Sequence, residues 1–521
     1  LGMEHFSQFL FFVLLLVFLR DRSRVLILVA GLLILAVFQV LYGLSQTFSA
    51  VEKIWWWEKE AYQGWLTGTY INRNHLAGFL ELCIPLAFGL GLAYWPRVVH
   101  RRRRSGSRVR NGVLKRLFVF LEPRLKPLLF IALGVFLGVG LMLTGSRGGI
   151  ICLAAGTLCI SFLFVFKRSW AGMGLLLGAF IFITAVYGLQ VGVGETAKRF
   201  EQKQGFSHRL ELTRSMLPIV ADYPWSGVGL GNFQTVYPEY ELAGHAGRTN
   251  YRYAHNDWVQ TGVEMGLPGL ILALAGYLFF LVRSLRLWLK SEDQLATGLG
   301  AGLLIGYIAL GIHSFFDFNL HIPANILAFA ACLALLHVVL GLEVHKGVNR
   351  QVWQQGSAGW EAKGGMLVLL AGASLVLLSG SSFVLKHYRA EALCPTEKNL
   401  TIDVDLRPSL SSIRQAINLC PGNPAYREEA GRRYLELLKS RKSGIWPSLM
   451  LKRAKEQFEQ GLKLAPANAY LWFLLAESRS RLEAAQGKGV TEEALYAFER
   501  GLQLRPKDYR FLNFYQTKLS D

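Results

Sequence analysis

Acidic residues are scarce in this sequence: 36 Asp and Glu stand against 56 Lys and Arg, and charged residues make up only 18% of the 521 positions, below the roughly 25% of a soluble globular domain. That balance argues against a soluble enzyme. Cysteine is sparse too, with six in the chain and no C-x-x-C pair. No two histidines stand at H-x-x-x-H spacing, so the familiar zinc patterns are absent. Gly227-Val228-Gly229-Leu230-Gly231 is glycine-rich, but it lacks the strand-turn-helix setting of a nucleotide fingerprint and is no P-loop. Nothing in the sequence calls for a metal or a cofactor.

What is abundant is apolar length. Hydrophobic residues reach 52%, and ten segments approach or exceed the roughly 20 residues needed to cross a bilayer, at about 6–19, 25–48, 76–95, 127–144, 149–166, 171–191, 258–282, 295–312, 323–341 and 366–386. The expected fold is all-α: a polytopic membrane helical bundle over 1–386, including an external loop at 192–257, followed by an α-helical repeat domain at 387–521. Alternate connections (20–24, 97–126, 167–168, 283–294 and 342–365) hold 22 Lys and Arg against 6 acids, whereas loop 49–75 has three of each and loop 194–257 has seven of each. The positive-inside rule puts the basic set in the cytoplasm and the carboxy-terminal domain in the periplasm of a bacterial inner membrane. The net charge of +20 is thus mostly topogenic and lipid-facing, Arg101 to Arg104 included, and no nucleic-acid partner is expected.

Cys83, Cys152, Cys159 and Cys332 fall within spans as small apolar packers. Cys394 and Cys420 fall in the exported tail, where a disulfide is permitted and left open. The tail also repeats a pattern, Leu419-Cys420-Pro421-Gly422-Asn423, Leu464-Ala465-Pro466-Ala467-Asn468 and Leu504-Arg505-Pro506-Lys507-Asp508. A helix stopped by proline and a turn into the next helix explains it. The pattern resembles tetratricopeptide repeats, which offer a concave surface to a protein partner or a glycan; a stabilising cap on the membrane domain is the other reading.

Polar residues on the outward side concentrate beside helix ends in five stretches: Asn72-Arg73-Asn74-His75; Thr144-Gly145-Ser146-Arg147-Gly148-Gly149; Ser207-His208-Arg209, leading to Pro224 through Phe233; Ala254-His255-Asn256-Asp257 with Glu264; and His313 through Asn325, which includes Asp317 and Asn319. Arg73, Arg147 and Arg209 form a set able to grip a diphosphate bidentately and to stabilise it as a leaving group. His255 supplies a base that works near neutral pH, with Asp257 or Glu264 to orient it. Asn74, His75, Asn256, Asp317 and Asn319 are supporting positions.

These motifs, from Asn72-x-Asn74-His75-x-Ala77-Gly78 to His313-Ser314-x-x-Asp317-Phe318-Asn319, resemble the bacterial O-antigen ligase and O-antigen polymerase family over about half of the chain. The resemblance implies a periplasmic glycosyltransferase that needs neither metal nor nucleotide. The donor would be a glycan on undecaprenyl diphosphate, and the acceptor a lipid A core, another lipid-linked glycan or a protein hydroxyl. It assigns the diphosphate to Arg147 and Arg209 and the base role to His255; Arg73 is added from the residues alone. Relatives usually have more spans, about twelve, than the ten read here, which leaves the amino-terminal boundary open. A lipid-linked sugar flippase is the alternative of another class, and it would need charged groups along its spans.

Overall fold

A computed structural model describes residues 2–49, 51–59, 61–96, 113–167, 204–241, 251–344, 385–394, 409–439, 446–487 and 489–506. The chain divides into two compact units, Leu1–Gly231 with Tyr253–Ser357, and Asn232–Arg252 with Ala358–Asp521. Among the described residues it is almost wholly helical, with one two-stranded hairpin.

The first unit contains α1 (Gly2–Phe18), α2 (Arg22–Thr47), the hairpin β1 (Lys53–Ile54) and β2 (Trp57–Glu58), α3 (Arg73–Ala93), α4 (Val113–Leu143), α5 (Arg147–Phe164) and α6 (Gln204–Asp222). After α7 (Phe233–Tyr240), which belongs to the second unit, come α8 (Asp257–Lys290), α9 (Gln294–His313) and α10 (Pro323–Val344). Seven described helices are long and apolar enough to cross a membrane: α2, α3, α4, α5, α8, α9 and α10; α1 is a shorter apolar helix. The protein is an all-α polytopic membrane protein. The expected spans at 171–191 and 366–386, and the basic run Arg101 to Arg104, lie outside the described residues.

Helices α3 and α9 form the centre. The membrane-length part of α3 is buried throughout, because α9 approaches it along Gly298, Gly302 and Gly306, one small residue per turn. A Cβ at Gly302 would lie 2.1 Å from the Pro85 carbonyl oxygen, and one at Gly298 would lie 2.5 Å from the Gly89 carbonyl oxygen. Lipid tails are as apolar as leucine, so such close backbone packing, rather than hydrophobic exclusion, holds membrane helices together. Gly156 of α5 closes on the other side of α9, where a Cβ would meet the Ile305 carbonyl oxygen at 2.7 Å.

Helix α8 is broken at Gly266, which adopts φ 69° just before Pro268. The segment Pro224 to Gly229 covers the break: Val228 N donates to Val263 O (2.9 Å), Gly229 N to Glu264 O (3.0 Å), and Leu267 N to Pro224 O (2.7 Å). These bonds satisfy the backbone groups that the break releases, as a bilayer interior requires. Gly227 has φ 62°, and a Cβ there would fall 2.4 Å from the Glu264 carbonyl carbon. The glycine-rich stretch is therefore a strap for α8.

In the second unit, α11 (Leu410–Leu419), α12 (Pro424–Lys439), α13 (Trp446–Leu464), α14 (Ala469–Ala484) and α15 (Glu492–Leu504) pack each on its predecessor. Phe458, Leu471, Leu475 and Phe498 lie in their core. Two of the repeated proline turns become helix starts: Asn423 Oδ1 accepts from Ala425 N, and Asn468 Oδ1 accepts from Tyr470 N and Leu471 N. Cys394 and Cys420 are free thiols buried in one apolar cluster with Ile413 and Tyr426.

Candidate active site

The five polar stretches meet at one end of the first unit. Three helices begin there: α3 capped by Asn72, α5 capped by Ser146 and α8 capped by Asn256. Helix N-termini present unpaired N–H groups and partial positive charge, which favours an anion. The opposite end gathers residues of the basic connections. There Arg22 pairs with Asp293, and Lys167 donates to Ser291 O at 2.7 Å.

Asp317, fully buried in the connection after α9, ties the polar end together. Its Oδ2 accepts from Asn74 Nδ2 (2.9 Å) and from Arg209 Nη2 (3.4 Å), and its Oδ1 accepts from Phe318 N (2.9 Å). His255 Nδ1 lies 3.5 Å and His75 Nε2 3.7 Å from the same Oδ1. Burial works against the charge of Asp317, but His255, His75 and the Arg209 guanidinium outweigh it and hold the carboxyl well below the usual carboxylate range. Arg209 is fixed further by donating Nη1 to Phe316 O at 2.7 Å.

His255 is held in the left-handed region, φ 51°, an unusual conformation for a side chain with a Cβ. Its neighbours lock the turn: Asp257 N donates to Ser314 O (2.8 Å), Asn256 Oδ1 accepts from Val259 N, and Ala254 N donates to Gln260 Oε1. The Nδ1 edge of His255 is sealed against Asp317 while about a third of the side chain stays exposed. The ring packs on Phe318 (4.8 Å), as do His75 (4.6 Å) and Tyr253 (4.7 Å).

Sequence reasoning offered Asp257 or Glu264 as the carboxylate behind His255. The structure gives that place to Asp317. Asp257 accepts instead from His321 Nδ1 (2.6 Å) and Leu320 N, and Glu264 accepts from Gln260 Nε2 (3.0 Å) on its own helix. Asn319 Oδ1 accepts from Asn325 Nδ2, which also donates to His75 O, while Tyr70 donates to Asn325 Oδ1. This network braces α3 against α10. Asn325, Tyr70, Phe318 and His321 had no assigned role in the sequence reading.

Arg73 and Arg147 stand on the first turns of α3 and α5. Arg73 lies over the rings of Trp65 (4.6 Å) and Tyr62 (5.6 Å), and Trp65 in turn packs on Gly145, where a Cβ would fall 2.0 Å from the ring. Gly148 and Gly149, next to Arg147, let α5 close on His313 and on Ala77 with Glu81. His313 Nδ1 and Glu81 Oε1 form a buried pair at 2.7 Å. Among the described residues, no group of three or more His, Cys, Asp or Glu is arranged to hold a metal ion.

Residues 132–274 match the family model described as O-antigen ligase. Over that segment the chain is similar to the O-antigen ligase family. No curated protein matches it. The O-antigen ligase segment runs from within α4 to within α8 and contains Arg147, Arg209, His255, Asp257 and Glu264. Arg73, Asn74, His75, Asp317 and Asn319 lie outside the matched residues, yet Asn74, His75 and Asp317 contact the cluster that the segment builds. The protein is a multi-pass membrane enzyme of the glycosyltransferase type.

Proposed function

We propose that this protein transfers a glycan from a polyprenyl diphosphate, of the undecaprenyl type, to an acceptor hydroxyl at the periplasmic face of a bacterial inner membrane, as a ligase or a polymerase. The observation that carries the reading is the Asp317 cluster, which joins an arginine and a partly exposed imidazole through one buried carboxylate. In the transfer, the acceptor oxygen forms a bond to the anomeric carbon and gives its proton to the outward nitrogen of His255. The bond from that carbon to the diphosphate oxygen breaks, and the diphosphate leaves with the electron pair. Arg147 and Arg209, with Arg73 beside them, meet the charge that grows on those oxygens, each charge-assisted hydrogen bond contributing roughly 1.5–3 kcal/mol. Asp317 stabilises the imidazolium until the proton passes to water. The charge asymmetry of the connections supports the periplasmic orientation.

The helical repeats of the second unit are read as a surface for a protein or glycan partner, outside the chemical step. The test uses purified protein with lipid-linked donor and acceptor. His255→Ala and Arg209→Ala should each abolish transfer while the protein still inserts and folds. Full activity in both variants overturns the assignment, and lipid movement without a new glycosidic bond would make the protein a flippase.

A further inference from the structure

The hairpin between α2 and α3 places aromatic rings where its backbone does not favour them. Ile54 pairs with Trp57, which leaves Trp55 and Trp56 as a two-residue loop. Trp55 takes φ 56°, and a hairpin loop of this length favours glycine at such a position. Strain of this kind persists where it serves a function. The rings also face outward: Trp55, Trp56 and Trp57 are 55%, 70% and 51% exposed, and Phe48 and Val51 before them are exposed as well. The charges of the hairpin are matched instead of presented. Lys53 and Glu58 stand opposite one another in the register. Lys59 is buried, pairs with Glu52 at 2.6 Å and donates to Trp65 O at 2.6 Å, while Glu52 Oε1 accepts from Gly64 N at 2.6 Å.

The exposed rings continue the outer surface of α2. Trp55 packs on Tyr42 (5.3 Å) and Phe38 (6.3 Å), which stack on each other at 5.7 Å. Trp55 N donates to the Tyr42 hydroxyl at 2.6 Å, and Gln46 Nε2 donates to Lys53 O at 2.7 Å. Phe38 belongs to the same half of α2 as Ile34, Leu35 and Leu41, all exposed apolar residues of a membrane-crossing helix. The 26 residues of α2 make about 39 Å, against a hydrocarbon core of about 30 Å. Tyr42 lies five residues before the end of the helix, about 7.5 Å in from it. The ring cluster therefore falls near the border of hydrocarbon and headgroups, the depth at which tryptophan and tyrosine concentrate.

We propose that the Trp55–Trp57 hairpin is a membrane anchor, seated in the lipid interface on the side of the candidate site, and that it sets the depth of the arginines there. Its partner is the glycerol and headgroup layer of the leaflet. A platform for a water-borne glycan would not run on into the lipid-facing surface of α2. The anchor is fastened to the site through Glu52 and Lys59, which hold Gly64 and Trp65. Trp65 in turn lies under Arg73 and against Gly145, two residues before Arg147.

The test uses the full chain in phosphatidylcholine vesicles. Trp56→Cys carries a nitrobenzoxadiazole label, and Cys159→Ser removes the exposed native thiol. Emission should fall about threefold more with a nitroxide phosphatidylcholine labelled high on its acyl chain than with aqueous iodide. Quenching chiefly by iodide overturns the proposal and makes the hairpin a water-facing platform for a glycan or a protein. Strongest quenching by a nitroxide at the end of the acyl chain also overturns it, because the loop is then in hydrocarbon. The native rings supply a second measurement without a label. Trp55→Ser, Trp56→Ser and Trp57→Ser together should remove tryptophan emission that the high-chain nitroxide quenches and iodide spares; removal of iodide-quenched emission refutes the anchor. The same triple variant should raise KM for the lipid-linked donor severalfold, and Trp55→Tyr, Trp56→Tyr and Trp57→Tyr together should restore it. An unchanged KM in the serine variant overturns the link to the arginines. That last readout alone rests on the transfer reading: absence of transfer in the native protein refutes that reading and leaves the quenching result to decide the anchor.

Discussion

Replacing Asp317 by asparagine keeps the shape of the side chain and removes the one charge shared by Asn74, Arg209, His75 and His255. At the 3.5 Å separation of Asp317 and His255, a full charge pair is worth about 5 kcal/mol at an effective dielectric near 20 and about 1 kcal/mol at that of water. Because His255 is about a third exposed, the value lies between these limits. Each 1.36 kcal/mol is tenfold in rate, so Asp317→Asn should lower kcat by roughly 10²-fold, within bounds of about 10 and 3 × 10³, while the protein still folds. Stability supplies a second readout. The folded carboxyl is held below its ordinary value, so its contribution is fully present above about pH 4 and is lost as pH falls through the lower folded value. The melting temperature of the native protein should exceed that of Asp317→Asn near neutral pH, and the margin should close in stronger acid. Transfer kinetics and thermal melting in detergent measure both. Unchanged kcat in a folded Asp317→Asn protein would refute the claim that this carboxylate serves the base.

Three further expectations follow from packing and stacking. Gly302→Leu drives a side chain into the Pro85 carbonyl; overpacking of this kind costs about 1–3 kcal/mol or more and should show as aggregation on size-exclusion chromatography in detergent. Gly227→Ala meets both a positive φ, worth about 1–2 kcal/mol, and the backbone of Glu264, so it should loosen the strap and lower the melting temperature. Trp65→Ala removes the ring beneath Arg73, a cation–π contact of about 0.5–2 kcal/mol; it should raise KM for the lipid-linked donor severalfold and leave KM for the acceptor nearly unchanged.

The helices were legible because a bilayer imposes a minimum apolar length, and eight of the ten expected segments coincide with described helices. The polar stretches were legible as breaks in that apolarity, and their common sidedness followed from counting turns across the membrane. Their pairing was not. Asn74 and Asp317 are 243 residues apart, and Arg209 and Asp317 are 108 apart, and no periodicity in one sequence encodes contacts at such range. Asp257 looked like the partner of His255 through nearness in the chain, but the first turn of α8 aims it at His321 instead. The sequence assigned no nucleotide to the glycines at 227, 229 and 231, while the break in α8 that Pro224 to Gly229 covers left no apolar gap to announce it. Pro268, two residues past the break, was the available signal.

The break at Gly266 divides α8 mechanically. The turns next to His255 are fastened to Val228 and Gly229, and Leu267, the first residue past the break, is fastened to Pro224, so the strap fixes the point at residue 266 about which the remainder of the helix meets a bilayer of changing thickness. The turn that carries His255 is thereby held by the strap rather than by the surrounding lipid, and if it is the seat of transfer, turnover should vary little between thin and thick membranes.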